Sequence, residues 1–237
     1  MAVIALLTAG GTGSRMHQDV PKQFLNVDNK PILIYTMEAF QKHPNIDEIC
    51  VVILDGWDQV LKAYAKQFNI TKLKYVVTGG CSGQESIYNG LFAIRKDHTD
   101  DDIIVVHDGN RPMVGQDIIS DSLVKQRQFG SAVAAIPCTE VVFVTSDKVS
   151  SNKSIPRENL FRTQTPHSYT LGELWNAHCI AKQKNIQNTA ASCSLMEALG
   201  KPSFFSLGSE KNIKLTTVED IDIFKALLAA KRSEWLK

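Results

Sequence analysis

Four stretches of the chain carry side chains suited to handling a polyphosphate. Residues 7–16 read LTAGGTGSRM, with Gly10, Gly11 and Gly13 directly after a short apolar run. Glycines there let the backbone turn sharply and bring N–H groups against phosphate oxygens. By themselves they fit a plain strand-to-helix turn equally well, and Arg15 adds the cation that tips the balance. Residues 21–25 (PKQFL) put Lys22 seven positions after Arg15, either folded back over the same phosphates or left as a solvated lysine. Residues 105–112 (VVHDGNRP) end an apolar run on Asp108. A carboxylate at a strand end, beside a triphosphate, suits Mg²⁺, which is often held by one or two carboxylates plus phosphate oxygens. Arg111 is placed to grip a second phosphate bidentately, and His107 reads as a packing or hydrogen-bonding residue of the strand. Residues 212–220 (NIKLTTVED) carry Lys214 just before a helix, again either a phosphate ligand or an exposed lysine at a turn.

Other chemistries fit these residues less well. No G-K-[ST] closes the glycine loop, so it is not a Walker A motif. A third glycine is missing for a dinucleotide fingerprint, and Asp55 stands roughly 40 residues past the loop where ~20 is expected. Cys50, Cys81, Cys138, Cys179 and Cys193 form no C-x-x-C pair, which argues against zinc or a disulfide framework and for a reducing cytoplasm.

The elements that must position these residues are legible as an alternation. Apolar, β-branched runs at 3–8, 48–54, 74–78, 102–107 and 131–136 suit strands covered on both faces. Amphipathic stretches at 31–42, 57–68, 84–95 and 116–128 lie between them, and a last helix over 218–231 follows a capping box of Thr216 and Glu219. The pattern predicts an α/β fold with an open, doubly wound, mostly parallel sheet. Residues 137–166 break the rhythm and read either as a projecting hairpin or arm, or as a surface loop. The 237 residues suit one α/β domain. With 26 basic and 25 acidic residues, no global charge points to nucleic acid or a membrane. No apolar run reaches the roughly 20 residues of a spanning helix, and the N-terminus lacks a signal-peptide pattern, so a cytoplasmic protein is expected.

Taken in order, AGGTGSRM, PKQFL, KPILIYTMEAF, GG…ESI, VVHDGNRP, QTP and NIKLTTVED make the chain resemble the polyol-phosphate cytidylyltransferases nearly end to end. Two sister groups share this pattern. One makes CDP-ribitol from ribitol 5-phosphate, for wall teichoic acid or capsule. The other makes CDP-methylerythritol from 2-C-methyl-D-erythritol 4-phosphate, in isoprenoid synthesis. The resemblance implies a Rossmann-like sheet of the nucleotidyltransferase type. It implies that Ala9, Gly10, Gly11 and Gly13 wrap the CTP phosphates, that Arg15 and Lys22 hold the triphosphate, and that Lys214 carries charge developing on the α-phosphate. Gly79, Gly80 and Ser86 would contact the nucleoside, and Asp108 would bind Mg²⁺. Arg111, Arg157, Thr165 and Thr189 would hold the polyol phosphate. The 137–166 arm would exchange contacts in a homodimer, with Arg157 serving the partner's site.

The chain departs from the pattern at Val141, where Thr is usual, near Gly83, where an Arg is expected, at Ala190, where Asp is common, and in the Gly-Asn that precedes Arg111. All four concern the acceptor half, and they predict an acceptor standard for neither sister group. Between the two standard acceptors, TGSRM, PILI and QTP favour D-ribitol 5-phosphate over methylerythritol phosphate. A non-catalytic nucleotide-binding module is the alternative from another class.

Overall fold

In the computed structural model, residues 1–11 and 20–232 are described. Seven strands form one sheet in the order β11-β7-β10-β6-β1-β4-β5. β1 (Val3–Ala9) lies inside it, parallel to its neighbours β4 (Glu48–Ile53) and β6 (Ile103–Asp108). β5 (Leu73–Thr78) continues parallel beyond β4, and β11 (Phe205–Leu207) lies parallel to β7 (Ser131–Pro137). β10 (Phe161–Thr170) runs antiparallel between β6 and β7.

The uninterrupted apolar runs are explained by burial on both faces. Leu7, Val51 and Val105 point into a core shared with α1 (Ile32–Lys42), α2 (Asp58–Gln67) and α4 (Gln116–Phe129). Their neighbours Leu6, Val52 and Val106 point the other way, against α3 (Gly83–Ile94), α5 (Leu171–Gln183) and α6 (Ser192–Ala198). With a side-chain period of two, both sets must be apolar. A smaller cluster seats α7 (Val218–Arg232) through Phe224 and Leu228 on Val27, Ile32 and Leu215, beside a short hairpin of β2 (Asn26–Val27) and β3 (Lys30–Pro31).

The order of strands places the functional region. The chain moves from β1 outward to β4 and β5, then crosses to β6 on the other side of β1. In an open α/β sheet this reversal leaves a crevice at the carboxyl ends of the strands, where ligands bind.

Two expectations shift. The 137–166 stretch is not one projecting piece: Pro137 ends β7, and residues 161–166 belong to β10 in the main sheet, with Phe161 opposite Pro137. What projects is a hairpin of β8 (Val142–Val144) and β9 (Lys153–Ile155). β10 escapes a hydropathy reading because Thr163, Gln164 and Thr165 line the crevice instead of a core. The last helix starts at Val218, so its third residue is Asp220, not Glu219. The Asp220 carboxylate accepts the N–H groups of Thr216 and Thr217 at 2.7 and 2.8 Å.

Candidate functional site

The crevice is a cleft of about 760 Å³, within the range of small-molecule sites. The turns after β1 and β5 meet at its mouth. A Cβ on Gly10 would lie 3.6 Å from the Gly79 Cα, and one on Gly79 would lie 3.2 Å from the Ser86 Oγ. The first is an ordinary contact, and the second is tight, so Gly79 is the position where a side chain would press on Ser86. Gly11 faces open space. The Ser86 hydroxyl accepts the Gly80 N–H at 3.0 Å and donates to the Ser82 carbonyl at 2.9 Å. α3 starts behind it on a capping box: Ser82 Oγ accepts the Glu85 N–H, while the Glu85 carboxylate takes the Cys81 N–H. Its positive end opens into the cleft, suiting an anion.

Lys22 also lines the cleft. Its short 3-10 turn, Lys22–Phe24, is held by buried Gln23, whose amide donates to the Ala9 carbonyl at 2.6 Å. Gln23 thereby ties this lysine to the end of β1.

Asp108 is the one acidic side chain lining the cleft among the described residues. Lys214 Nζ lies 3.0 Å from its Oδ1, and Arg111 Nε lies 2.9 Å from its Oδ2. Burial opposes charge on Asp108, but Lys214 and Arg111 outweigh it and hold the carboxyl well below the usual carboxylate range. The two cations belong to distant parts of the chain, and amides fasten those parts together. Asn110 Nδ2 donates to the Leu215 carbonyl at 2.6 Å, and the Leu215 N–H returns a bond to the Asn110 carbonyl. Arg111 Nη1 donates to the Asn212 carbonyl at 2.7 Å, and Asn212 Nδ2 donates to the Thr165 carbonyl at 2.8 Å. The asparagine that departed from the expected pattern is thus the pin that brings Lys214 to Asp108.

His107 and Thr165 brace the same point from below. Burial pushes His107 down to about 4, so its ring is neutral at pH 7. Its Nε2 faces the Arg111 carbonyl at 3.2 Å and must carry the proton. Nδ1 is then an acceptor for the Thr165 hydroxyl at 3.0 Å, and the Thr165 oxygen takes the Asp108 N–H at 3.0 Å. Thr165 therefore positions the Asp108 backbone with its only hydroxyl proton already committed. Thr189 lines the cleft with its N–H and hydroxyl both directed to Gln84 Oε1, each at 3.1 Å.

The cleft thus gathers Ala9, Gly10, Gly11, Lys22, Gly80, Ser86, Asp108, Arg111, Thr165, Thr189 and Lys214, with Gly79 packed immediately behind Gly10 and Ser86. Gly13 and Arg15 lie outside the described residues. Arg157 is not brought in: it is exposed, on the 3-10 turn Arg157–Asn159 beyond the hairpin. Val141 directly precedes that hairpin's first strand and is 68% exposed; Gly83, which opens α3 with nothing near a Cβ, and Ala190 both line the cleft. Residue spacing does not single out the supporting amides Gln23, Gln84, Asn212 and Gln164. Each stands near a charged or glycine-rich motif, and that proximity is the one signal the sequence offers for them.

Comparison with known proteins agrees with this geometry. The family described as IspD, 2-C-methyl-D-erythritol 4-phosphate cytidylyltransferase, matches residues 3–230. A ribitol-5-phosphate cytidylyltransferase of Lacticaseibacillus paracasei is 41% identical, covering 97% of this chain and 99% of that protein. A 2-C-methyl-D-erythritol 4-phosphate cytidylyltransferase of Clostridium botulinum is 34% identical, covering 94% and 96%. The crystal structure of the Francisella tularensis 2-C-methyl-D-erythritol 4-phosphate cytidylyltransferase superposes with a TM-score of 0.80 at 27% identity, covering 95% of this chain and 99% of that one. With its cleft, its bracketed carboxylate and its full-length likeness, the chain belongs to the IspD family of CTP-dependent cytidylyltransferases.

Proposed function

We propose that the chain transfers the cytidylyl group of CTP to D-ribitol 5-phosphate, releasing pyrophosphate. The observation that carries the chemistry is the Lys214–Asp108–Arg111 cluster at the strand reversal, facing the cleft. The phosphate monoester of the acceptor attacks the α-phosphorus of CTP, the bond to the β-phosphate breaks, and pyrophosphate leaves. A monoester dianion is already a nucleophile at neutral pH, so the protein must align two anions and offset their charge. Gly10, Gly11 and the start of α3 receive the nucleotide phosphates. Lys22 and Lys214 face charge gathering on the α- to γ-phosphates, and Arg111 faces the acceptor's phosphate.

Asp108 would hold a Mg²⁺ ion. One carboxylate suits an ion that takes its other ligands from phosphate and water, and Asp108 stays ionised. When bound, the ion would neutralise phosphate charge. Ribitol 5-phosphate is favoured because the relative at 41% identity is named for it, against 34% for that named for methylerythritol phosphate. Of the four departures behind an acceptor standard for neither group, Asn110 serves the fold, Val141 is exposed, and Gly83 and Ala190 line the cleft.

Pyrophosphate release with CTP and Mg²⁺ should give a kcat/KM for ribitol 5-phosphate at least about tenfold above that for methylerythritol phosphate, the scale of one misplaced methyl group. A reversed preference would overturn the assignment, and product phosphorus NMR identifies the CDP-polyol directly.

The hairpin supports a second part of the reading, a homodimer. Val141, Phe143, Val144 and Val149 are exposed on it, and Phe161, Phe205 and Leu207 are exposed at the neighbouring sheet edge. Apolar patches and open edges of this kind mark contacts between chains. Arg157 would then reach the other copy's cleft to hold acceptor phosphate. Mixing Arg157→Ala with Lys214→Ala protein should restore activity, because one site of each heterodimer keeps both residues. Mixtures as inactive as their parents would exclude the shared site.

A further inference from the structure

Three side chains at the inner wall of the cleft have no part in the phosphate chemistry. His167 on β10, His178 on α5 and Ser192 at the start of α6 are 2%, 4% and 2% exposed, and all three line the cleft. Neither ring nitrogen of His167, nor His178 Nε2, nor Ser192 Oγ has a hydrogen-bond partner among the described residues. The Gln164 carbonyl favours a protonated His167 but makes no bond of acceptable geometry to it. Buried polar groups are nearly always paired. Orphans gathered on the wall of one cleft point to partners that arrive with a ligand.

The type of group says what those partners are. Burial pushes both His167 and His178 down to about 4, so the rings are uncharged at neutral pH. A neutral imidazole offers one donor and one acceptor, and a hydroxyl offers both. Phosphate, which only accepts, would leave the acceptor atoms unmatched. The hydroxyls of an alditol match every one of them. The sheet order sets His167 apart from the nucleotide turns, while His178 lies on the helix layer with its ring 6.2 Å from Tyr88 of α3. Gly10 and Gly79 follow β1 and β5, whereas His167 is on β10, on the far side of β6. His167 is close enough to feel the charges of Asp108, Arg111 and Lys214, which places it next to the acceptor's phosphate.

We propose that His167, His178 and Ser192 form the pocket that reads the hydroxyls of the acceptor's carbon chain, with Ala190, Ala191 and Leu195 as its apolar wall. This rests on the polyol-phosphate reading above. The pocket selects a chain with a hydroxyl at each carbon over one in which a methyl branch meets a polar partner, because that contact strands a buried donor or acceptor.

The test uses His178→Leu, Ser192→Ala and Ser192→Thr with CTP, ribitol 5-phosphate and its monodeoxy analogues. His178→Leu and Ser192→Ala should lower kcat/KM for ribitol 5-phosphate about 10- to 100-fold. The KM for CTP should stay within about twofold, and Ser192→Thr should keep most activity. For at least one deoxy analogue the wild type should lose as much, and the matching variant little more. The Tm of the ligand-free variants should hold or rise, because an unpaired buried group is removed. A purely structural role predicts the opposite: a lower Tm and equal losses on every acceptor. That result, or no loss at all, overturns the pocket. If the wild type prefers a different polyol phosphate, the ribitol assignment falls and the pocket is judged with that acceptor and its deoxy forms. Turnover of no polyol phosphate overturns both.

Discussion

Replacing Lys214 with alanine lowers kcat by about 10²–10³, the cost of losing one preorganised donor to charge that develops in the transition state. The lysine is fixed before substrate arrives: its Nζ is 3.0 Å from Asp108, and its segment is pinned by the paired bonds between Asn110 and Leu215. Lys22→Ala behaves alike, since Gln23 holds its turn to the end of β1. Neither change should unfold the protein. The Lys214 side chain is 44% exposed, so its pair with Asp108 adds little stability, and Arg111 still neutralises the carboxylate. Steady-state pyrophosphate release and a melting curve on the same preparations check both halves. Turnover within threefold of wild type removes Lys214 from the chemistry, and a collapsed Tm would make the lost rate uninterpretable as catalysis. Lys214→Arg keeps the charge but not the compact ammonium, and should recover only part of the rate.

A second large effect concerns acid. His107, His167 and His178 are buried and pushed by that burial to about 4, against an ordinary 6.5. Above pH 6.5 both folded and unfolded chains carry these rings neutral, and they contribute no pH dependence. Between 6.5 and about 4 the unfolded chain binds protons that the folded one refuses, so stability falls as pH falls. A shift of this size is worth about 3 kcal/mol for each ring, which is large against a total of about 5–15 kcal/mol. Asp108 acts in a different window, because its depressed carboxyl keeps its contribution until strongly acidic pH. The expected record is a Tm that is level above pH 7 and drops steeply toward pH 4.5. His178→Leu should flatten that drop. A Tm constant from pH 7 to 4.5 would contradict buried neutral rings.

The frame was legible in the sequence because two-sided burial leaves a clear mark: the residues of β1, β4 and β6 that face the helix layers are apolar except His107, which packs on Phe40. The elements that escaped follow from the same physics. β10 spends its outer residues on the cleft, and α5 buries Gly172, Ala177, His178 and Ala181 where a core helix would show larger apolar residues. Of the site, the charged residues were readable from spacing and resemblance, and Lys22, Asp108, Arg111 and Lys214 do share one cleft. The parts that hold them were not. Asn110, Asn212 and Gln23 act through hydrogen bonds from their side-chain amides to backbone carbonyls more than ten residues away, and nothing in their local sequence specifies the partner.

The pin between Asn110 and Leu215 also sets an order of events during synthesis. By the time β6 leaves the ribosome, the glycine turns, Lys22, Asp108 and Arg111 have all been made. Lys214 stands 106 positions after Asp108, is made after both β7 and β10, and reaches Asp108 only when the segment ending at Leu215 docks on Asn110. A nascent chain can therefore own a nucleotide-shaped mouth long before it owns a reacting centre. A frayed or clipped C-terminal segment would leave a protein that still occupies nucleotide and returns no product.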